Sequence, residues 1–522
     1  MDADDPSRPL RDVVQDLISP ERDVANADVS GKRVLLRVDF NVPVDEATGA
    51  TVTDASRITA VLPTIRLLAG RGARVILASH FGRPEPKKQS RAQMEAAFSL
   101  APVAAWLERE LNGSSSSAGG GGGGAHGCSS DDSGSETKQN NAANGSGGAG
   151  AGASAGKVFV GLAADCVGPE AEAAVAALQP GQVLLLQNTR FHAGDGANDP
   201  GFAGALAALC DVFVQDAFGV LHRDQGSVTG ITAHVAECYP GPLVRRELRE
   251  LAHRLFEPAR PLGVVLGGAK VADKIGVVAA LVEMADVVAV GGRMAFTLLA
   301  ARGVSVGSTQ IEPDWLEPCR RMMARAAERG TQLLLPGDVL WSSSLAAPVD
   351  TGVQVLTLDC CTEESPCIPA GRYGVDIGPA TMAAFREALL GCRTIFWNGP
   401  MGKFEVPEFG KGTVAVAQAM DEASRGRGAI TIIGGGDSVA AVAAAGLDGA
   451  ITHISTGGGA SLELIEGKGM PGLRALLRGR RVPAAPAPAP TPAPAPAPMP
   501  LPVPQQAPVA APACCAAKKC CA

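Results

Sequence analysis

This chain lacks several familiar signatures, and each absence removes a class of function. No apolar run approaches 18 uninterrupted residues, so no transmembrane segment is expected. The 13 cysteines never fall into a CxxC…CxxC or C…H spacing that would hold zinc. Cys166, Cys210, Cys319 and Cys392 stand singly in apolar runs, as small core residues do. Basic residues are not in excess: 46 Lys and Arg against 53 Asp and Glu leave a net charge of −7, so no nucleic-acid partner is expected. GxxxxGKS and GxxxxGKT are absent, as are the HRD and DFG elements and a dinucleotide fingerprint. That excludes P-loop, protein-kinase and dinucleotide-binding chemistry. There is no secretory signal or disulfide framework, and the Asp-rich start is unlike an acid-poor transit peptide. A cytoplasmic protein is expected, with a plastid left open.

What is present is a composition that folds. Hydrophobic residues make up 46% of 522, a length that points to two domains plus extras. Residues 112–156 are Gly/Ser/Ala-rich, with few apolar side chains to offset the entropy of ordering, and read as a disordered insertion. Residues 482–522 alternate Pro and Ala, an extended disordered tail ending in the cysteine cluster CCAAKKCC. Lys519 there occupies the place a prenylated cysteine would need. Elsewhere β-branched or Leu-rich runs alternate with Ala-rich helical patterns. KRVLLRVDF, ARVILASH, QVLLLQN and DVFVQDAFG make one set of expected strands; PLGVVLGG, DVVAVGG, TQLLLPGD, RTIFWNGP and AITIIGGGD make a second. EAAFSLAPVAAWLEREL and KIGVVAALVEMA are among the helices between them. This predicts an α/β protein with two doubly wound, Rossmann-like parallel-sheet domains, joined by the amphipathic PGPLVRRELRELAHRLF as a hinge helix. The expected boundaries are an N-terminal extension at 1–29, a first domain at 30–239 and an interdomain helix at 240–258. A second domain follows at 259–452, then a returning C-terminal segment at 453–481 and the tail at 482–522.

In such sheets ligands bind where strands end and helices begin. In the first half Arg57, His80, Arg83, Arg190 and Arg223 follow strands or lie near the loop after one. Converging guanidiniums repel one another unless an anion sits among them. Asp39 and Asn41 in RVDFNVP are placed either to bond a hydroxyl of the same ligand or to serve the turn at Pro43. In the second half GGAKVADK spaces Lys270 and Lys274 as on one face of a helix opening after a Gly-Gly turn, a phosphate cradle. GGGD at 434–437 repeats the turn and adds Asp437, a hard oxygen ligand for magnesium carried by a nucleotide. STGGGAS at 455–461 is a further nest of backbone donors.

RVDFNVP, SHFGRP, NTRFH, VQDAFGVLHR, GGAKVADKI, FWNGPMGKFE, IIGGGDS and STGGGASLELIEGK, in this order, closely resemble the motifs of phosphoglycerate kinase, across roughly 30–111 and 157–480. The resemblance implies a monomer whose two domains close by hinge bending, with 3-phosphoglycerate on the first and Mg-ATP on the second. The implied reaction is reversible Mg2+-dependent phosphoryl transfer between 1,3-bisphosphoglycerate and ADP, in glycolysis or carbon fixation. By matching position it puts Asp39, Asn41, Arg57, His80, Arg83, Arg190 and Arg223 around the phosphoglycerate. Arg57, Lys270, Lys274, Gly457 and Gly458 fall about the phosphoryl group in transfer. Gly268, Ala269, Lys274, Gly291, Gly292, Gly378, Asn398, Glu405, Gly435, Gly436, Asp437 and Ser438 follow the nucleotide, with Glu405 on the ribose and Mg2+ on Asp437. The attacking carboxylate is ionised at neutral pH, so no general base is required.

The chain departs from the family pattern beside the adenine, where GGGM becomes Gly291, Gly292, Arg293, Met294. Ala380 stands for the Lys of IGPKT, and Gln187, Gln215 and Val220 for Glu, Asn and Thr. Arg293 either obstructs the adenine pocket or stacks on the base. The alternative is therefore a catalytically weak or inactive paralogue acting as a binding or scaffold protein.

Overall fold

The computed structural model describes residues 7–45, 47–113, 157–272, 274–356, 367–447, 449 and 451–479. All belong to one compact unit, Met1–Pro483; the second unit, Ala484–Ala522, and the insertion from 114 onward lie outside the described residues. The chain forms two parallel-sheet α/β domains. The first sheet comprises β1 (Arg33–Arg37), β2 (Arg74–Ala78), β3 (Phe159–Leu162), β4 (Val183–Leu185), β5 (Val212–Gln215) and β6 (Glu237–Pro240), in the order β3-β4-β2-β1-β5-β6. The second begins with β7 (Leu262–Leu266), β8 (Val287–Val290) and β9 (Gln332–Leu334). An excursion through β10 (Asp338–Ser342), β11 (Gly352–Val355) and β12 (Tyr373–Ile377) follows. The sheet then resumes with β13 (Thr394–Asn398), β14 (Ile430–Gly434) and β15 (His453–Ile454), in the order β15-β14-β13-β7-β8-β9.

Strands covered on both faces must be apolar at every position, and the period of two then sorts their residues between two cores. Val34 and Leu36 pack with Val75, Leu77 and Val214 on one side of the first sheet; Leu35 packs with Ile76 and Phe213 on the other. In the second sheet Val265, Ile395, Trp397 and Ile433 share one face, and Val264, Leu266 and Phe396 the opposite one. A single core joins the inner faces of both sheets, with Leu17 from the helix Leu10–Leu17, Val244 and Leu248 from the hinge, and Leu464 and Leu473 near the C-terminus. Two buried arginines lock this joint. Arg245 donates to the carbonyls of Leu17, Ile18 and Ser19, and Arg22 to those of Leu476, Leu477 and Gly479, so each caps a helix end that has no intrahelical partner.

Several expectations need correcting. EAAFSLAPVAAWLEREL is two helices, Arg91–Phe98 and Ala101–Asn112, because Pro102 disfavours helix before it and starts a new one well. The hinge run is helical over Pro242–Glu247 and Arg254–Phe256, with a π-helical stretch, Leu248–His253, between them. The antiparallel sheet β11-β10-β12 was not expected; β11 alternates half-buried and exposed residues and lacks the continuous apolar run of its neighbours. Cys166, Cys210, Cys319 and Cys392 are buried and free as expected, but Cys367 alone among the described cysteines is disulfide-bonded. No helix among the described residues is long and apolar enough to cross a membrane.

Each sheet has one central strand at which the winding reverses: β1 lies between β2 and β5, and β7 between β13 and β8. A crevice opens at the carboxyl end of such a strand. The loops after β1, β5, β7 and β13 carry most of the conspicuous polar residues.

Candidate functional site

The loop after β1 starts the first half of the site. Arg57 Nη1 donates to Asp39 Oδ2 (3.1 Å) and to the Asn41 carbonyl (3.0 Å), fastening the helix Ser56–Gly70 to that loop. Asn41 Oδ1 accepts the Gly82 N–H at 2.8 Å, and Arg190 Nη1 donates to the Gly82 carbonyl at 2.8 Å. The loops after β1, β2 and β4 thus meet at Gly82. His80 lies buried beneath them, with its Nδ1 3.3 Å from a guanidinium nitrogen of Arg37. Burial, then Arg37, Arg190, Arg223 and Arg57, push the His80 imidazolium well below its ordinary range, so the ring is neutral. Burial, with Arg223 and Arg37 nearby, pulls the Arg190 guanidinium down to about 10. Its Nη2 is buried without a hydrogen-bond partner. A cluster of cations with an unsatisfied donor is the complement of an anion. Arg223 is exposed and bonds His222, while Arg83 is exposed and makes no bond among the described residues.

Across the molecule, β7 runs into Gly267 and Gly268. Lys274 Nζ donates to the Gly267 carbonyl (2.6 Å) and to Asn398 Oδ1 (2.7 Å), so its ammonium is fixed between the ends of β7 and β13. Lys270 is exposed. The two lysines do not share a helical face, because the helix Ile275–Met284 begins only after Lys274. The Glu312 carboxylate accepts the N–H groups of Val271 and Ala272 at 2.7 and 3.0 Å and anchors that segment ahead of the helix. Gly292 has φ of +67°, and a Cβ there would lie 2.4 Å from the Gly268 nitrogen, so the loops after β7 and β8 touch backbone to backbone. Gly291 donates to the Leu266 carbonyl below them.

A cavity of about 420 Å³ opens above these loops, lined by Gly268, Ala269 and Gly292, by the charged Arg293, Glu405 and Asp437, and by the apolar Phe296, Val375 and Met401 among others. Arg293 runs along its wall, Nε to the Ala269 carbonyl (2.9 Å) and Nη1 to Gln310 Oε1 (2.7 Å), and leaves the space open. Gly378 is not part of the lining; it precedes the helix Pro379–Leu390, with its N–H on the Asp338 carbonyl. A second cavity of about 230 Å³ is lined by Lys274, Asn398, Gly435, Gly436, Asp437, Ser438, Gly458 and Gly459. Asp437 borders both cavities, and its carboxylate makes no hydrogen bond or ion pair among the described residues. Asn398 Nδ2 is buried without a partner beside the Gly435 turn, a donor suited to a phosphate oxygen. A free carboxylate at the mouth of a donor-lined phosphate-sized cavity fits Mg2+ carried by a nucleotide. Ser438 Oγ accepts the Gly399 N–H at 2.6 Å and so fixes the loop after β13.

The halves meet at the glycine nest. A Cβ on Gly219, after β5, would stand 2.9 Å from Asp39 Oδ2 and 3.8 Å from the Gly457 carbonyl. Asp39, Arg57 and Thr456 border one narrow cleft. The nest hangs from the hinge: Glu247, fully buried, accepts the Thr456 N–H (2.7 Å), the Thr456 hydroxyl (2.8 Å) and His453 Nε2 (2.9 Å). Arg37, Glu247, His453 and Thr456 were missed in the sequence. Arg37 lay in view inside RVDFNVP, but Glu247 sits among alternating charges that read as a solvated helix face.

A phosphoglycerate kinase family model matches residues 24–119 and 153–468, on either side of the Gly/Ser insertion. A phosphoglycerate kinase of Synechococcus sp. (strain JA-3-3Ab) is 43% identical over 452 residues, 86% of this chain and 96% of the relative. That of Chlorobium chlorochromatii (strain CaD3) is 42% identical over 456 residues, 87% and 99%. Among solved structures, the phosphoglycerate kinase of Coxiella burnetii superposes with a TM-score of 0.68 at 33% identity, covering 87% of this chain and 98% of the other. With the match running through both sheets and every motif that lines the two cavities, the chain belongs to the phosphoglycerate kinase family.

Proposed function

We propose that this chain, a phosphotransferase with a carboxyl group as acceptor, transfers the phosphoryl group between 1,3-bisphosphoglycerate and ADP, giving 3-phosphoglycerate and ATP, with the residue roles that follow. The observation that carries these roles is the meeting of two cavities at Asp437, the donor-lined one of Lys274 and Asn398 and the larger one beside it, together with the arginine cluster that gathers around His80 in the first domain. Arg190, with its unpaired donor, and Arg223 hold the substrate's phosphate; Asp39 and Asn41 orient its backbone hydroxyl and carboxylate. Lys274 and Arg57 place positive charge on the equatorial oxygens of the group in transfer, and Gly457 and Gly458 supply backbone donors. In the direction that consumes ATP, the carboxylate oxygen of 3-phosphoglycerate attacks the γ-phosphorus in line as the bond from that phosphorus to the β-phosphate oxygen breaks and ADP leaves. In the other direction an ADP β-phosphate oxygen attacks and the carboxylate leaves, and in neither need a side chain take a proton. Asp437 holds Mg2+, which supplies charge neutralisation along the phosphates. The domain boundaries, monomeric state, hinge closure and cytoplasmic location expected from the sequence belong to the same proposal.

No observation favours the inactive paralogue, since Arg293 lies along the cavity wall. The test is ATP-dependent formation of 1,3-bisphosphoglycerate from 3-phosphoglycerate, read through a coupled dehydrogenase and NADH, with Asp437→Ala as control. A folded wild type that turns over in neither direction at saturating substrate would overturn the proposal.

A further inference from the structure

The nucleotide cavity is apolar on its faces and donor-rich at one edge. Phe296, Val375, Pro400 and Met401 offer surfaces for a flat ring, while Arg293 and Gln310 stand side by side at the margin. A guanidinium carries five N–H donors and no acceptor. Arg293 uses one on the Ala269 carbonyl and one on Gln310 Oε1, which leaves three without a partner. The same bond consumes the Gln310 carbonyl and leaves its amide N–H₂ outward. Where the family pattern has a glycine with no side chain, this chain therefore builds an edge made of donors alone. Of the other polar groups of the lining, Thr309 Oγ1 accepts the Gly374 N–H and Ser308 Oγ that of Gly371, Lys403 adds a further cationic donor, Tyr373 brings a hydroxyl that can donate or accept, and Glu405 and Asp437 are assigned above to the sugar and the metal.

Adenine presents one acceptor and one donor on its N7/N6 edge, whereas guanine and hypoxanthine present two acceptors, N7 and O6. A donor-only edge faces the adenine amino group with like polarity and matches the 6-oxopurines bidentately. We propose that Arg293 and Gln310 read the nucleobase and make guanosine and inosine nucleotides phosphoryl carriers at least as good as adenosine ones. This rests on the nucleotide reading of the cavity. A good bidentate base contact discriminates by roughly five- to a hundredfold, enough to reverse a modest adenine preference from packing.

The test compares kcat/KM for Mg-ATP, Mg-GTP and Mg-ITP in the full chain, with 3-phosphoglycerate saturating. The expected wild-type GTP:ATP ratio is one or more, with ITP close to GTP. Arg293→Gly should lower that ratio at least tenfold, and Arg293→Lys, which keeps the charge and loses the fork, should lower it too. Calorimetric binding of Mg-GDP and Mg-ADP gives the same ratio without turnover. A wild-type ratio below one, a ratio that Arg293→Gly leaves within threefold, or GTP accepted while ITP is refused would each overturn the assignment; the last would place recognition at the guanine 2-amino group. Turnover with ATP alone would sink this inference and leave the transferase reading standing. No binding of either nucleotide would sink both.

Discussion

Glu247 joins the hinge to the glycine nest, and its removal can be worked through from the structure. In Glu247→Ala the Thr456 N–H and the His453 Nε2–H lose their acceptor; the Thr456 hydroxyl can turn elsewhere. An unpaired buried donor costs about 1–3 kcal/mol, and two are left here, so a loss of about 2–6 kcal/mol is expected. Glu247→Gln keeps an acceptor for Thr456. His453 must then switch tautomer to receive the amide, which puts a proton on an Nδ1 that is buried and has no partner. That variant should lose only about 1–3 kcal/mol. Urea unfolding at constant m-value measures both. The nest should also drift in the Ala variant, and a misplacement of about 1 Å costs on the order of a hundredfold in turnover. Binding contacts lie on other residues, so kcat should fall about a hundredfold while both Michaelis constants move less than about threefold, with the Gln variant within about tenfold of wild type. Glu247→Ala with a stability loss under about 1 kcal/mol and unchanged kcat would refute the claim that the hinge holds the nest.

Further outcomes follow from the same geometry. Lys274→Ala should depress kcat by about 10²-fold or more with little change in either Michaelis constant, because its ammonium acts on charge that develops in transfer. Asp437→Ala should shift the magnesium activation curve to higher concentration; an unshifted curve would place the ion elsewhere. Asp216 is buried and pushed up to about 6, although Thr64 and the Val244 N–H bond it. The folded chain holds its proton between about pH 4 and 6 while the unfolded chain has released it, so wild-type stability falls as pH rises through that window. Asp216→Asn can keep both bonds without charge. Its advantage over wild type should grow from near zero at pH 4 to about 2–3 kcal/mol at pH 8, and a pH-independent difference in thermal unfolding would contradict this.

The parallel sheets were legible because burial on both faces forces unbroken apolar runs, and RVLLR, RVILA, LGVVL and TIFWN have no other comfortable place. The glycine turns were legible because backbone contacts such as Gly292 against Gly268 forbid a side chain. The lysine pair was misread because spacing alone does not say where a helix begins. The helix begins only at Ile275, and the N–H groups of Val271 and Ala272 before it are bound by Glu312, from a distant loop. Glu247 and His453 were invisible for the same reason. They lie 206 positions apart, and neither has a local pattern that distinguishes a buried acceptor from a solvated charge.

The unequal drift of the two sides of the site has a mechanical cause. Lys274 holds the ends of β7 and β13 together through Gly267 and Asn398, Arg57 ties a helix to the loop after β1, and Asn41 ties that loop to Gly82. Lys274, Arg57 and Asn41 therefore each carry a structural bond in addition to the role proposed for them, and replacing one would cost the fold as well as the reaction. The base end has no such double duty. Arg293 is half-buried and Gln310 exposed; they bond chiefly to each other and to one carbonyl, and border a cavity of about 420 Å³. Substitution there changes which base is held without loosening a strand. A position of that kind can alter specificity while the phosphate chemistry a few ångströms away stays fixed, which is why the departure at Arg293 and the intact Lys274 belong to one functional site.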